Sequence, residues 1–460
     1  MTSTRPSLWR PRSTRVLDTR PIVLVLFPLD YDREAIDRLR KHHDGYEFVE
    51  AGFDLFSFPS NAQLLWFDID RFINRLLKRF RRRQIAAVIS NQEQIGALAA
   101  AVLCERLGLP GTPVAALVTA QNKAAARTIH REQLPEHTPE FCTFRFDADP
   151  ALAVTLPYPV FVKPVKAAFS VLARRCESVE EVRAHISLSR FDKTIIRALT
   201  RPFRTVSPRY LRCDATADHF IAETALEPGV QLSVDGYAEG GVVHALGLVD
   251  AVMYPGTQAF RRFELPSRLP ELVQARCIAV AQRAVETLGF THGLFNVELI
   301  WHPETDRLWI VEVNPRMAGQ FSDLYERVTG RSLWDIQLAL ALGQPVLEPR
   351  PTAFGAAASF VFREFAGRAK QAPAEDDYVS LVERFPDARL YLDLKHGAAR
   401  RREERWVGSY RYALLHMGGC DHDDLLKRFA CAEALLDFEP RQTVRTGFRV
   451  DWLRVLRRSI

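Results

Sequence analysis

Three polar residues interrupt two apolar stretches of strand length: Glu298 in GLFNVELIW, and Glu312 and Asn314 in LWIVEVNPRMAGQ. An apolar strand normally excludes such groups, because a buried polar group costs several kcal/mol unless it is paired or bound to a metal. Two carboxylates and an amide are hard oxygen ligands, which Mg²⁺ takes together with water and phosphate oxygens. The alternative is a pair of edge-strand acids that face solvent. The flanking residues favour the metal site.

The sequence around these acids resembles the ATP-grasp superfamily. One strand carries NVEL, which contains Glu298, and the next ends in the pattern E-x-N-P-R, here Glu312-Val313-Asn314-Pro315-Arg316. The resemblance extends over about residues 85–343. It implies that Glu298, Glu312 and Asn314 bind the Mg²⁺ (or Mn²⁺) ions that bridge the phosphates of ATP. It also implies a catalytic role for Arg316, which would face the transferred phosphoryl group or a substrate carboxylate.

Two lysines are candidates for the nucleotide site, and lysine is scarce in this arginine-rich chain. Lys163 follows the apolar run Pro159-Val160-Phe161-Val162, and from the pattern alone it could be a simple strand end. The resemblance matches it to a P-x-V-x-K-P lysine that reaches the adenine and the α-phosphate. Lys123 opens a helical pattern and matches a second lysine that reaches the phosphates, so it is both a nucleotide-binding and a catalytic candidate. An ammonium is a compact partner for polyanionic phosphate.

A predicted hinge for the adenine ring lies between Ile221 and Asp235, where the sequence resembles the family pattern E-x-x-x-x-G-x-E-x-S-V. Glu223 opens the hinge, and the resemblance implies that backbone groups near Ala225 and Leu226 face the adenine edge. Gln231 stands where relatives often place a ribose-binding Glu. A Gln amide can still hydrogen-bond both ribose hydroxyls.

The loop after Lys163 departs from the family pattern. Relatives often cover the triphosphate with a loop rich in Gly and Ser, whose bare backbone N–H groups can approach phosphate. Here the loop is Val165-Lys166-Ala167-Ala168-Phe169-Ser170-Val171, which has no glycine. Lys166 and Ser170 are therefore the candidates for these contacts.

Strands alternating with helices in the first part of the chain predict a small parallel α/β unit. The resemblance implies the fold class: an α/β (α+β) ATP-grasp fold with an N-terminal pre-ATP-grasp parallel α/β domain and a small C-terminal α/β domain. The predicted segments are a flexible tail at 1–20, the pre-ATP-grasp domain at 21–120, the ATP-grasp domain at 121–345 with a small lid at about 150–225, and the C-terminal domain at 352–460.

The composition places the chain among ordinary globular proteins, with 47% hydrophobic and 26% charged residues in 460. No apolar run approaches the roughly 20 residues of a membrane span. The seven cysteines form no C-x-x-C pair, so neither a disulfide framework nor a zinc site is indicated and a cytoplasmic location is expected.

A basic segment at Arg71–Arg83 could contact nucleic acid or a membrane. Its apolar positions follow helical spacing, which favours a surface helix packed on the next strand. We therefore expect no nucleic-acid partner. The first twenty residues are rich in Ser, Thr and Arg, as in a transit peptide, but their apolar face is poorly developed and a flexible tail is favoured.

The resemblance implies a carboxylate–amine ligase of the L-amino acid or dipeptide type, with carbamoyl-phosphate-synthase-like ATP-grasp domains. Such an enzyme uses small-molecule carboxylate and amine substrates, and a homodimer is an open prediction. His292, Gln320 and one of Arg261 or Arg262 are further substrate candidates. Two other hypotheses are a carboxylase that activates bicarbonate and a non-catalytic nucleotide-binding protein.

Overall fold

The structure is a computed structural model, and it describes residues 20–29, 32–55, 60–166, 172–395, 397, 400–401, 403–404 and 408–440. Ser170 and nearly all of the predicted N-terminal tail lie outside these ranges. Their roles therefore stay predictions.

The first region is a three-stranded parallel sheet with strand order β2-β1-β3. The strands Ile22–Leu26 and Ile85–Ile89 are wholly apolar because helices cover both faces of the sheet, whereas the edge strand Glu47–Ala51 carries two glutamates. The predicted parallel α/β unit is confirmed. Its elements are β1 (Ile22–Leu26), α1 (Asp32–His42), β2 (Glu47–Ala51), α2 (Ile69–Arg79), β3 (Ile85–Ile89), α3 (Gly96–Leu107) and α4 (Val114–Gln121).

Helix α2 contains most of the basic segment. Ile69, Ile73 and Leu76 are buried in the core of the first region, whereas Arg71 and Lys78 are exposed. The interpretation as a packed surface helix is thus confirmed. In the described part of the chain, no helix combines the length and the apolar character that crossing a membrane requires.

A small four-stranded antiparallel sheet follows, with strand order β4-β7-β5-β6. Since β4 belongs to it, this sheet begins before the lid boundary predicted at about residue 150. The elements of this region are α5 (Lys123–Gln133), β4 (Phe141–Arg145), α6 (Pro150–Ala153), β5 (Val160–Pro164), β6 (Arg174–Cys176), α7 (Val179–Ile186), α8 (Arg190–Val206) and β7 (His219–Thr224).

A large antiparallel sheet of eight strands completes the fold, with strand order β12-β11-β8-β9-β10-β13-β15-β14. The predicted boundary between residues 345 and 352 does not interrupt this sheet, because β13 pairs directly with β10. The division into domains stays a prediction. The elements are β8 (Val230–Glu239), β9 (Val242–Met253), β10 (Phe260–Leu265), α9 (Glu271–Thr287), β11 (Gly293–His302), β12 (Arg307–Asn314), α10 (Ser322–Thr329), α11 (Leu333–Leu342), β13 (Ala356–Glu364), α12 (Glu375–Arg384), β14 (Arg389–Leu392), β15 (Tyr410–Gly419) and α13 (His422–Glu433).

Strands β8, β11 and β12 have one apolar and one polar face, as the two-residue period of a strand allows. The apolar face, with Leu232 and Val297, packs against buried residues of α9. Because neighbouring strands are in register, the polar side chains on the other face come together. They are Gln231, Ser233, Asp235, Asn296, Glu298, Glu312 and Asn314.

A buried ion cluster ties α10 to the last strands of the sheet. Asp323 Oδ2 accepts a hydrogen bond from Arg327 Nε at 2.7 Å, and Asp323 also pairs with Arg389 and lies 3.4 Å from His416 Nδ1. Burial opposes the charge of Asp323, but His416 and the two arginines hold the pKa of this carboxyl well below its usual range.

We expect Asp323→Asn to destabilise the fold by about 3–5 kcal/mol, because breaking a buried ion pair leaves its partners uncompensated. A carboxyl whose pKa is lowered by folding stabilises the protein above its unfolded pKa, and this contribution is lost as the pH falls. An unfolded Asp titrates at about pH 3.9, so urea unfolding at pH 8 and at about pH 2.5 should show the variant approaching wild type only at the lower pH. Asp376→Asn, at an exposed acid of α12, is the control, and equal behaviour of both variants at pH 8 would contradict the assignment.

Candidate functional site

The predicted metal ligands meet on the polar face of β11 and β12. Glu298 and Glu312 lie directly opposite each other across the strand pair. Asn314 Nδ2 donates a hydrogen bond to Glu298 Oε1 at 3.2 Å. The structure thus brings the three residues together, as the sequence predicts.

The two carboxylates repel each other. Burial, and then the nearby charge of Glu312, raises the pKa of Glu298 to about 7. Among the residues that the structure describes, no three His, Cys, Asp or Glu side chains surround a common metal position. The donor set is therefore two carboxylates and the amide of Asn314, which is chemically suited to Mg²⁺ when phosphate oxygens supply further ligands.

A chain of buried hydrogen bonds orients Asn314. Its Nδ2 also lies 3.3 Å from Asn296 Oδ1, and Asn296 Nδ2 donates to Asp235 Oδ1 at 3.0 Å. Tyr325 Oη donates to Asp235 Oδ2 at 3.1 Å. Burial raises the pKa of Asp235 to about 7. These supporting residues are not among the site residues predicted from sequence, although Asn296 and Asp235 lie within the stretches that the motifs cover.

Lys123 faces the metal acids from the start of α5. The side chain of Asn122 caps this helix by accepting a hydrogen bond from the Ala125 N–H at 3.1 Å. The Lys123 ammonium lies 3.0 Å from Glu312 Oε2. Burial opposes its charge, but Glu312 and the other nearby carboxylates raise the pKa of Lys123. The residue is therefore held as a cation beside the predicted ligands.

Lys163 and Glu223 form a second buried group on β5 and β7. The Lys163 ammonium lies 2.9 Å from Glu223 Oε2, and Arg127 Nε donates to Glu223 Oε1 at 2.7 Å. Burial disfavours the carboxylate, but the two cations lower the pKa of Glu223 to about 2. Two cations, Lys163 and Arg127, share one carboxylate, so this group of side chains carries a net positive charge. The resemblance implies that phosphate binds here.

The remaining nucleotide candidates are Ala225, Leu226, Gln231 and Ser170. The Ala225 N–H donates to the Pro159 carbonyl at 3.2 Å, so it is already engaged within the protein. Leu226 is half-buried and follows directly in the chain, and its N–H has no acceptor among the described residues. Gln231 lies on the polar face of β8, two residues before Ser233. Ser170 cannot be placed because it lies outside the described residues.

Arg316 is anchored by a residue that sequence reasoning missed. Its Nε and Nη2 donate to Glu93 Oε2 at 3.0 and 2.5 Å, and its Nη1 donates to the Met317 carbonyl at 3.1 Å. Glu93 is buried, and although burial opposes its charge, Arg316 lowers the pKa of this carboxyl. It lies in the polar run that follows β3. That position was a usable signal, since ligand sites form at the carboxyl ends of parallel strands.

Three of the further substrate candidates, His292, Gln320 and Arg262, have a partner within the chain, and Arg261 is exposed. His292 Nε2 lies 2.9 Å from the Leu340 carbonyl, which fits a structural role in its turn. Gln320 Nε2 donates to Ser359 Oγ at 2.8 Å, and Arg262 pairs with Glu264. None of these contacts reaches the metal acids.

Comparison with known sequences gives partial matches. No protein-family model matches the chain. It is 31% identical over 275 residues to carnosine synthase 1 from Gallus gallus, a match that covers 55% of this chain and 27% of that protein. It is 25% identical over 200 residues to the C-terminal section of the carbamoyl phosphate synthase large chain from Methanopyrus kandleri, covering 43% and 32%. The chain thus spans about a third or less of each of these two relatives.

Comparison with solved structures covers nearly the whole chain. The L-amino acid ligase from Bacillus licheniformis superposes with a TM-score of 0.70 and 17% identity over 92% of this chain and all of that one. Carboxyaminoimidazole ribonucleotide synthase from Aspergillus clavatus, solved with ATP, gives a TM-score of 0.61 and 15% identity over 91% of this chain and 98% of that one. At these identities the likeness concerns the fold. The chain has the ATP-grasp fold, which confirms the fold class predicted from the motifs.

Proposed function

We propose that this protein is an ATP- and Mg²⁺-dependent ligase that activates a carboxylate as an acyl phosphate and joins it to an amine, releasing ADP and phosphate. The observation that carries the proposal is the registered pair Glu298 and Glu312, with Asn314 beside it. Arg316 follows the end of β12 by two residues, and the Lys123 ammonium lies 3.0 Å from Glu312 Oε2. The similarity to L-amino acid ligase and carnosine synthase supports the same class of reaction.

The nucleotide would lie between the small sheet and the large sheet. In this proposal the hinge at Ala225 and Leu226 holds the adenine, and Gln231 holds the ribose. Lys163 and Lys123 contact the phosphates, each turning from its present carboxylate partner toward a stronger anion. Their carboxylate partners keep both ammonium groups positioned before the nucleotide arrives, so little reorganisation is needed.

Glu298, Glu312 and Asn314 would hold Mg²⁺, which supplies charge neutralisation for the phosphate oxygens. The protein's own share of the chemistry is to align the carboxylate with the γ-phosphate and to spread the developing negative charge. Arg316 does this from a fixed position, since Glu93 and the Met317 carbonyl hold its guanidinium.

The carboxylate oxygen attacks the γ-phosphorus, the bond to the β-phosphate oxygen breaks, and ADP leaves. The amine then attacks the acyl carbon, and phosphate leaves with the former carboxylate oxygen. Neither step needs a nucleophilic Ser or Cys of the protein.

A cytoplasmic compartment is part of the proposal. All seven cysteines are described and none forms a disulfide, which fits a reducing environment. Small-molecule carboxylate and amine substrates are proposed on the same grounds as the reaction. The homodimer stays a prediction.

The proposal is tested with hydroxylamine as a general acceptor. Amino acids and small carboxylates are screened with ATP and Mg²⁺, and we expect one of them to give a hydroxamate with one ADP per hydroxamate, because an acyl phosphate is an activated acid. ADP release that depends on bicarbonate alone would instead indicate a carboxylase. A broad panel that yields no product, from protein that binds Mg-ATP, would favour a non-catalytic nucleotide-binding protein.

Replacing Lys163 by Met should weaken ATP binding about tenfold or more. The substitution keeps the apolar stem and removes one charged hydrogen bond to phosphate, which is worth about 1.5–3 kcal/mol. Calorimetric titration with Mg-ATP measures the change. Lys78→Met, at an exposed lysine of α2, is the matched control. Unchanged affinity in Lys163→Met would mean that Lys163 is only a strand end.

A further inference from the structure

Lys166 is a buried cation that the proposed mechanism has not used. It is 8% exposed, and within the described part of the chain its ammonium forms no ion pair with a carboxylate and no hydrogen bond. The side chain is mostly buried, whereas the ammonium itself is not cut off from solvent, so it can meet an anion that enters the site. The other cations of the cleft each have a carboxylate partner. These pairs are Lys123 with Glu312, Lys163 with Glu223, and Arg316 with Glu93.

An aromatic ring holds this ammonium in place. The Lys166 Nζ lies 4.2 Å from the centre of the Phe203 ring, close enough for a favourable cation–π contact. Burial lowers the pKa of Lys166 to about 8, which leaves the group largely charged at neutral pH. Phe203 therefore holds the charged side chain of Lys166 in place without neutralising its charge.

The position of Lys166 distinguishes it from Lys163. The Lys123 N–H donates a hydrogen bond to the Val165 carbonyl at 3.0 Å, so Lys166 directly follows a residue bonded to Lys123, whose ammonium lies 3.0 Å from Glu312 Oε2. Lys163 instead pairs with Glu223, beside the hinge. Lys166 thus lies on the side of the metal acids and the catalytic arginine, where the terminal phosphate would be transferred.

Phe203 belongs to α8, a helix outside the small sheet. Helix α8 follows α7, but its buried residues Ala198, Phe203 and Val206 share one apolar cluster with residues of the first region. Arg209, in the turn after α8, pairs with Asp70 of α2 at 3.0 Å. The ring under Lys166 is therefore anchored on the first region of the protein.

From this geometry we propose that Lys166 binds the γ-phosphate of ATP and that Phe203 is the residue that positions it. The inference rests on the proposed nucleotide site. The segment that begins at Val165 has no glycine before Leu172, so close approach of bare backbone to phosphate is disfavoured and a side-chain cation supplies the contact. Lys166 would therefore recognise the triphosphate and not the diphosphate.

Calorimetric titration of the full chain with Mg²⁺ and either AMP-PNP or ADP tests this. Lys166→Met should lose about tenfold or more in affinity for AMP-PNP, as expected for one charged contact, and less than about twofold for ADP. Lys166→Arg should keep most of the difference between the two ligands, because it keeps the charge. Lys427→Met, at an exposed lysine of α13, should match wild type.

Phe203→Leu keeps an apolar side chain in the cluster but removes the aromatic face. It should lose affinity for AMP-PNP by a few-fold with ADP binding unchanged, and Phe203→Tyr should restore it. Equal losses for both nucleotides in Lys166→Met, or no loss, would overturn the inference while leaving the proposed function standing. Wild-type protein that binds neither nucleotide would overturn both.

Discussion

Glu312→Gln is expected to abolish ATP turnover while the fold survives. The substitution removes one of the two carboxylate charges on the polar face of the sheet and leaves the amide in nearly the same volume. Metal-derived charge stabilisation is worth several kcal/mol, and each 1.4 kcal/mol or so is tenfold in rate, so kcat should fall by roughly 10³-fold. ATP binding should also become weaker or lose its dependence on Mg²⁺.

Glu304→Gln is the matched control, since this acid is exposed in the turn between β11 and β12. It should release ADP at the wild-type rate. Thermal unfolding of both variants checks that the fold is retained. A Glu312→Gln protein with near wild-type ADP release would contradict the assignment of Glu312 as a metal ligand.

Arg316→Met is expected to lower kcat by roughly 10³-fold, within the range that a single arginine contributes to phosphoryl transfer. The guanidinium combines a fixed geometry with a permanent positive charge near Asn314, because Glu93 holds it through two N–H groups. Arg316→Lys should recover little, because an ammonium cannot make these planar contacts together. Arg197→Met, at an exposed arginine of α8, serves as the control.

A double substitution distinguishes a positioning role of Glu93, through Arg316, from direct contact of Glu93 with the substrate. If Glu93 acts through Arg316, Glu93→Gln should reduce kcat by itself, but the pair Glu93→Gln and Arg316→Met should be no slower than Arg316→Met alone. Losses that multiply would mean that Glu93 contacts the substrate independently.

The candidate metal ligands on β11 and β12 could be predicted from sequence because the unusual feature, an acidic residue within an apolar strand, is local. A carboxylate inside an apolar strand is visible in the NVEL segment and in the stretch that ends at Asn314, and two-residue alternation places Glu312 and Asn314 on one face of their strand. Lys123 and Lys163 were equally visible, as rare lysines at the start of a helix and the end of a strand.

The pairings of these residues could not be predicted, because the paired residues are distant in sequence. Glu93 and Arg316 are 223 residues apart, and Arg127 and Glu223 are 96 apart. No local pattern pairs such residues. A pairing irregularity next to Glu298 also leaves Val311 bulged, and its carbonyl accepts a hydrogen bond from Arg127 Nη2 at 2.8 Å. Only the assembled sheet reveals this contact.

The strand pairing in the large sheet could not be predicted from sequence either. The proline-rich stretch after residue 344 predicts a linker, and the structure has no helix or strand there before β13. Yet β13 returns to pair with β10, because the open edge of β10 offers unpaired backbone groups that a later strand can satisfy. A local linker signal does not tell which sheet the next strand will join.

The most direct test of the proposed reaction follows the oxygen atoms. The substrate carboxylate found by the hydroxamate screen is prepared with ¹⁸O in both oxygens, and the products formed with ATP, Mg²⁺ and the amine are analysed by mass spectrometry. Attack of the carboxylate on the γ-phosphorus predicts one ¹⁸O in each inorganic phosphate released and one in each amide. Amide that forms without transfer of ¹⁸O to phosphate would contradict the acyl-phosphate mechanism.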